Sequence, residues 1–495
     1  MDSSAPLLFD PLDLTAGGAC LRLRNRIVLP AMVTRLSGED GLVNGAIRDR
    51  YIRFAQGEPG MIVIEAMAVH ASKSGPLLRI SDDSFVPGLA DLAKRMHDVS
   101  ESKVAPQIIH FLKISRSGWR QKVADLTKKD IVDIREAYAR AAERARRAGF
   151  DAVELHMAHA YTLSSFLSRR NLRPDEYGRT LENRLRLPSE VLSAVRAAVG
   201  DDFPVGIRFL AEECIKDGAT TEETRWTALR FAQLGAAWLS LSNGGKFEDA
   251  VHKPGEPLYP YTGYSGDRCM PGRNYPDGAN LPSAAAIRAF IRSQGFTVPI
   301  VATGKIHTQE LAESVLRDRS ADLVGMARPL LADPDLPRKW KNGDHDRVVG
   351  CVYSNVCKSL DESFQEVRCY LWPKGALHAP RSSDRTPPRW PAAGAAPRAE
   401  IVRGRVELAW NAAEDSEGVY GYDVERAAGA GAFERIYAVK SPRFHDESAA
   451  AGVCYWYRVR AYDFAGNRSP YSPEVSAEIP DLPLGGAAHR AASTT

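Results

Sequence analysis

Phe150-Asp-Ala-Val-Glu-Leu-His-Met-Ala-His-Ala-Tyr161 decides how the rest of the chain is read. Its first half, Phe150 to Leu155, has the length and apolar character of a short buried strand. From His156 onward the chain turns polar and loop-like, through Leu163-Ser-Ser-Phe-Leu-Ser-Arg-Arg-Asn171. His156, His159 and Tyr161 therefore fall where a strand meets a loop, and in a parallel α/β fold such junctions face the ligand. Two imidazole N–H groups can grip one carbonyl oxygen. A phenol with an unperturbed pKa of about 10 stays protonated at pH 7 and can act as an acid. The alternative is that the histidines merely cap the loop. A metal is not expected, because no carboxylate or third imidazole stands at a fixed helical spacing from the pair.

Working outward, short β-rich runs alternate with amphipathic helical stretches. The strand candidates are residues 26–30, 60–66, 104–110, 152–156, 204–209, 238–242, 299–304 and 321–326. Helical patterns separate them, among them 127–148, 182–199, 220–234 and 283–294, with Thr127 and Thr220 as N-caps and Gly149, Gly200 and Gly235 as stops. Eight βα units close into a (β/α)8 TIM barrel, whose site lies at the carboxyl ends of the strands. His110, His156, Arg208 and Gly304 fall at such ends. An open doubly wound sheet would show a glycine-rich turn after its first strand, and none stands near residue 30.

At 495 residues the chain exceeds one ordinary core, so a barrel plus a smaller module is expected. With 65 basic and 62 acidic residues, intermixed, the net charge of +3 leaves no nucleic-acid footprint. No apolar run of membrane-spanning length appears, and Met1-Asp-Ser-Ser-Ala-Pro6 lacks the basic and apolar regions of a secretory signal. A cytoplasmic protein with no membrane association is the expectation. Seven cysteines, an odd number scattered along the chain, argue against a disulfide scaffold.

Three separated stretches carry a resemblance to the old yellow enzyme family of NADH:flavin oxidoreductases, in particular its longer branch that includes 2,4-dienoyl-CoA reductase. They are Leu23 to Met32, His156 to Arg186 and Asp322 to Asp335. The resemblance covers residues 6–375 and implies a noncovalent FMN over the barrel mouth. Pro30, Ala31, Met32 and Ala66 would line its ring, Gln107 would meet the pyrimidine edge, and Arg208 would sit where reduced flavin gathers negative charge. Gly304, Lys305, Ala327 and Arg328 would receive the phosphate, in the usual barrel position. The chain departs from the family at Ala160, Arg179, Lys305 and Ala327, where glycines are common, and at His110-Phe-Leu-Lys113, where His-Xaa-Gly-Arg is common. Backbone phosphate contacts tolerate Lys305 and Ala327 if their dihedrals are ordinary, and a reshaped substrate side is expected at Phe111 and Leu112.

The longer-branch relatives carry four cysteines after the eighth unit, holding an iron–sulfur cluster. Here Cys351, Cys357 and Cys369 remain, and Ser354 stands in the place of the fourth. Either three thiolates hold a cluster or the motif packs as core.

Residues 1–378 are assigned to the barrel, 379–398 to a Pro/Ala-rich linker, 399–480 to a second module and 481–495 to a disordered tail. Alternating runs at 405–410, 422–426 and 455–461 resemble a fibronectin type III sandwich, with Trp410 as core anchor and Tyr455 as tyrosine corner. Nothing catalytic stands in it, and docking is its expected work.

The resemblance implies reduction of an activated C=C bond of an enone or enoyl thioester. Hydride would come from flavin N5, His156 and His159 would bind the carbonyl oxygen, and Tyr161 would protonate the α-carbon. NAD(P)H is the expected electron donor, with a redox protein as alternative, and a homo-oligomer is allowed for. The rival readings are oxidative amine demethylation and an inactive barrel acting as a scaffold.

Overall fold

The computed structural model describes residues 7–72, 75–113, 121–245, 266–381, 384–392 and 394–480. The tail assigned to 481–495 lies outside these residues. The chain forms two compact units. The first holds the described residues up to Asp344, together with Val349–Tyr370 and Gly375–Ala379. The second holds His345–Val348, Leu371–Lys374 and the described residues from Pro380 onward, so short segments on either side of the cysteine motif cluster with it.

A hairpin, β1 (Leu12–Ala16) and β2 (Ala19–Leu23), precedes the barrel, and sequence reading did not anticipate it. Eight parallel strands follow: β3 (Ile27–Leu29), β4 (Met61–Ala68), β5 (Lys103–Ile109), β6 (Val153–Met157), β7 (Val205–Glu212), β8 (Leu239–Asn243), β9 (Ile300–Ala302) and β10 (Leu323–Gly325). They close into a barrel in chain order, β10 pairing back onto β3. All eight are the strands expected, each displaced by a few residues. They were legible because a strand buried on both faces reads as a continuous apolar run.

Helices α1 (Gly45–Ala55), α2 (Val86–Val99), α3 (Lys128–Arg147), α4 (Thr162–Leu167), α5 (Leu181–Val199) and α6 (Thr221–Gln233) connect the first six strands. After them come α7 (Gly266–Cys269), α8 (Leu281–Ser293), α9 (Gln309–Arg317), α10 (Ala327–Ala332), α11 (Leu336–Lys341) and α12 (Val356–Glu362). Thr127 caps α3 with a full capping box, its side chain accepting from Asp130 N while the Asp130 carboxylate accepts from Thr127 N. Thr220 holds the N-cap of α6 without a side-chain hydrogen bond. Gly149, Gly200 and Gly235 end their helices at φ of 81°, 79° and 79°, a conformation that only glycine adopts freely.

The hairpin explains which end of the barrel is free. Leu14, Leu21 and Leu23 form one buried cluster with Val28, Met61, Ala105, Ala152, Trp238 and Leu323, which stand at or near the amino ends of their strands. That end is filled by side chains, and the carboxyl end is left to the ligand.

The second unit pairs a three-stranded antiparallel sheet, β11 (Arg398–Val402), β12 (Arg405–Ala409) and β15 (Arg443–Asp446), with a four-stranded one. The latter runs in the order β14 (Glu434–Val439), β13 (Val419–Ala428), β16 (Cys454–Asp463), β17 (Val475–Glu478). Val406, Leu408, Trp410, Tyr422, Val424, Tyr457 and Val459 fill the space between the sheets. Trp410 stands edge-on to Tyr422 at 5.4 Å, and the Tyr455 hydroxyl accepts from Ala450 N at 3.4 Å.

Replacing the α3 cap, Thr127→Ala, removes a side-chain acceptor for Asp130 N and lowers the stability of the barrel by about 1 kcal/mol. A lower denaturant midpoint for the barrel transition, with unchanged slope, is the expected reading.

Candidate active site

One cavity of about 1540 Å3 opens at the carboxyl ends of the barrel strands. Pro30, Ala31, Met32, Ala66, Gln107, Arg208, Gly304, Lys305, Ala327 and Arg328 all line it, as do His156, His159 and Tyr161. Of the three motif cysteines, Cys357 reaches the wall, whereas Cys351 and Cys369 do not line it. Single-ligand sites occupy about 300–1,000 Å3, so this cavity has room for more than one molecule.

Sequence reading missed the group that organises the floor. Glu154, on β6, is 1 % exposed and accepts from Gln107 Nε2 at 2.7 Å and from Trp238 Nε1 at 3.0 Å. Burial raises its pKa, against the pull of the nearby Arg208 guanidinium and of both hydrogen bonds. Because the carboxylate accepts only, the Gln107 amide nitrogen faces Glu154 and the amide oxygen is left for the other side. The one available signal was a carboxylate inside an otherwise apolar strand. Arg208, 7 % exposed on β7, keeps Nη1 buried without a hydrogen-bond partner in the protein. Such an orphaned cation on a cavity wall suits an anionic or electron-rich ligand edge.

The positions that the resemblance assigns to the phosphate differ in backbone conformation. Ala327 opens α10 with an ordinary backbone, but Lys305 sits at φ 54° and continues a left-handed stretch begun by Gly304 at 116°. A residue with a Cβ pays roughly 1–2 kcal/mol for this conformation, so ordinary dihedrals do not hold at Lys305. Its ammonium is anchored instead, donating to Arg273 O at 3.0 Å and to Tyr275 O, and pairing with Asp277 at 3.1 Å. Arg179 (φ 69°) and Ala160 (φ 62°), two further positions of family glycines, are left-handed as well. Arg328 donates through Nη1 to Pro271 O at 2.8 Å and to Asn355 Oδ1 at 2.6 Å, and its guanidinium lies 4.6 Å over the Tyr353 ring.

At the strand-end cluster, His156 and His159 are both buried, and Tyr161 stands beside His156 with ring centroids 5.1 Å apart. His156 Nδ1 accepts from Ala158 N at 3.2 Å, and His156 Nε2 lies 3.3 Å from His159 Nδ1. His159 Nε2 contacts Ser242 Oγ at 2.9 Å. Desolvation is the largest cause holding both imidazoles well below their usual pKa; the Arg208 charge adds to it, and for His159 so does His156. Both are neutral at pH 7. Phe111 presents its ring edge-on to Tyr161 at 4.9 Å and to His70 at 5.8 Å, forming an aromatic wall beside the phenol. Cys269, which nothing in the sequence marked, also lines the cavity. Burial raises its pKa.

An eight-stranded parallel barrel with this constellation at its carboxyl mouth defines a class of flavin-binding oxidoreductases. The sequence matches the NADH:flavin oxidoreductase / NADH oxidase family over residues 112–252 and 273–347, and the chain belongs to that family, the old yellow enzymes. It is 31 % identical over 369 residues to an NADH oxidase of Thermoanaerobacter brockii, covering 70 % of this chain and 53 % of that protein. Against an NADPH dehydrogenase of Geobacillus sp. strain WCH70 it is 31 % identical over 352 residues, 67 % of this chain and 92 % of the relative. Morphinone reductase superposes with a TM-score of 0.51 at 25 % identity, over 69 % of this chain and 91 % of the other. The chain thus spans about half the length of the NADH oxidase and nearly all of the shorter dehydrogenase.

The wall fits the FMN that the family implies. Arg208 has an orphaned Nη1, Gln107 has an amide oxygen turned from Glu154, and Arg328 closes the opposite end. The motif cysteines fit a cluster less well. With Ser354 in the fourth place the donor set is one thiolate short.

A buried thiol with a raised pKa is a poor nucleophile, so Cys269 is not expected to link the flavin. Acid precipitation is expected to release the yellow chromophore into the supernatant. Chromophore retained in the pellet would identify a covalent bond, with Cys269 the first residue to replace.

Proposed function

We propose that the protein reduces an activated C=C bond, of the enone or enoyl-thioester class, at the expense of NAD(P)H. The observation that carries this reading is the pairing of a neutral imidazole with a phenol, His156 beside Tyr161, on the same cavity as the orphaned Arg208 cation. Bound FMN supplies the hydride. His156 provides an N–H to the carbonyl oxygen, and the donor strengthens as enolate character develops there. Tyr161 delivers its phenolic proton to the α-carbon. Phe111 and His70 exclude water on the phenol side and offer ring edges to an unsaturated substrate. The cavity volume supports successive occupation by the nicotinamide donor and the alkene on one face.

No step depends on an iron–sulfur cluster. Ser354→Cys supplies the missing thiolate, and iron content and broad absorbance near 400 nm are expected to rise in that variant. Equal iron in wild type and Cys351→Ala would show that the site holds none. The second unit, read as type III-like, is assigned to docking, with a second copy of the chain as the simplest partner.

Removing the phenolic hydroxyl tests the chemistry. In Tyr161→Phe, reduction of the flavin by NAD(P)H is expected to stay near wild type, while reoxidation by an enone slows by about 100-fold. Stopped-flow absorbance at the flavin band separates the two half-reactions. Wild-type reoxidation rates in the variant would assign the proton to another acid. Reduction of the oxidised protein by tertiary amines, with no response to enones, would replace alkene reduction by amine dehydrogenation.

A further inference from the structure

We infer that Glu65 is a positioning residue for the flavin ring: its carboxylate holds the segment Pro30–Thr34 in place from behind, and protonation loosens that hold. This role rests on the FMN ring lying against Pro30, Ala31 and Met32, the placement given to those wall residues above. Glu65 itself does not line the cavity.

The segment after β3 is a thin wall. Pro30, Met32 and Val33 face the large cavity on one side and, on the other, a void of about 10 Å3 closed by Arg50 and Tyr51 of α1. Residues 30–34 belong to no helix or strand, so no ladder of hydrogen bonds fixes them. At buried Thr34 the chain is gripped twice. Its N–H donates to Glu65 Oε2 at 2.7 Å, and its carbonyl accepts from Val367 N at 2.8 Å.

Glu65 stands at an irregularity in β4. Pairing with β5 passes from Ile64–Pro106 to Met67–Ile108, so two residues, Glu65 and Ala66, lie opposite Gln107. Such a step re-aims side chains near a site, and here Ala66 lines the cavity while Glu65 is wholly buried. The Glu65 N–H donates to the Tyr51 hydroxyl at 2.8 Å, which ties it to α1.

The charges around the carboxyl come from three elements. Arg35 follows Thr34 and pairs with Asp361 at 2.7 Å. Arg50 on α1 donates to Val367 O at 2.9 Å, and Glu366 and Cys369 face it from the chain after α12. Burial pushes the Glu65 carboxyl up to about 7, against its hydrogen bonds from Thr34 and the pull of Arg50 and Arg35. Burial also keeps Tyr51 protonated, while Arg50, lowered by burial to about 10, keeps its charge through the neutral range. Above about pH 7 Thr34 therefore donates to an anion. Below it the acceptor is a neutral carboxyl, roughly half as strong. Because the anion holds the segment on which the flavin packs, flavin binding lowers the carboxyl's pKa, and flavin affinity falls as the pH drops through neutrality.

The test is the Kd of the full-length chain for FMN and for riboflavin, read by quenching of flavin fluorescence from about pH 8.5 to about pH 5.5. Riboflavin lacks the phosphate, whose second ionisation at about pH 6 would add a step of the same sign. For riboflavin, the wild-type Kd is expected to rise about tenfold toward acid, the difference between a charge-assisted and a neutral hydrogen bond, with its midpoint close to neutrality. Glu65→Gln keeps an acceptor for Thr34 N and cannot ionise. Its Kd for riboflavin should stay near the acid wild-type value at every pH, while the phosphate step for FMN persists. A side chain that only filled space would shift Kd equally at all pH values. The wild-type riboflavin profile requires no variant, so it decides the matter even where Glu65→Gln fails to fold. Absence of the step in the wild type, or a step of undiminished size in Glu65→Gln, would overturn the role of Glu65 while leaving the flavin in place. A wild-type chain that binds neither flavin at any pH would overturn the flavin placement itself.

Discussion

The mouth of this barrel depends on a very short ladder, Val324 to Ile27 and Gly325 to Val28, through which β10 closes on β3. Without it the strands would form an open sheet with two edges, and the residues after β3 and β10 would lie at opposite ends of it. With it, Pro30, Ala31 and Met32 share one cavity with Ala327 and Arg328, about 300 positions further along the chain. The hairpin β1–β2 then fills the amino end with Leu14, Leu21 and Leu23, so the inward space that remains is on the carboxyl side. A ligand site at that face is a consequence of closure.

Inside the mouth the polar groups are ordered by a few buried charges. Glu154 is expensive to bury, and three partners on neighbouring strands justify it: Gln107 on β5, Arg208 on β7 and Trp238 immediately before β8. Removing one partner from such a set leaves a buried charge uncompensated, which costs more than the lost bond itself. Glu154 therefore does two things at once. Its hydrogen bonds tie β5 and the start of β8 to β6 at the level of the cavity floor, and they decide which amide atom of Gln107 remains for a ligand.

Part of the backbone strain lies around the same mouth. Left-handed residues with side chains occur there at His159, Ala160 and Lys305, and again at Tyr353 and Asn355 beside Arg328. Each such conformation persists because neighbouring contacts over-determine it, as the carbonyls and Asp277 do around the Lys305 ammonium.

The sequence by itself determined the eight barrel strands and the helix stops at Gly149, Gly200 and Gly235, because these follow from apolar periodicity and from glycine's free positive φ, while the expected site residues, which the family resemblance supplied, line one cavity. The departures at Ala160, Arg179 and Lys305 were also visible as letters, though not the dihedrals they adopt. Tertiary structure alone decided what those residues touch. Ser242 stands more than 80 positions from His159, so no local pattern could join the two. Glu154 looked like a lapse in an apolar strand until β5, β7 and β8 stood around it. The hairpin at the amino end escaped notice because its burial comes from the barrel it covers, and no pattern of its own announces a partner that lies hundreds of residues away.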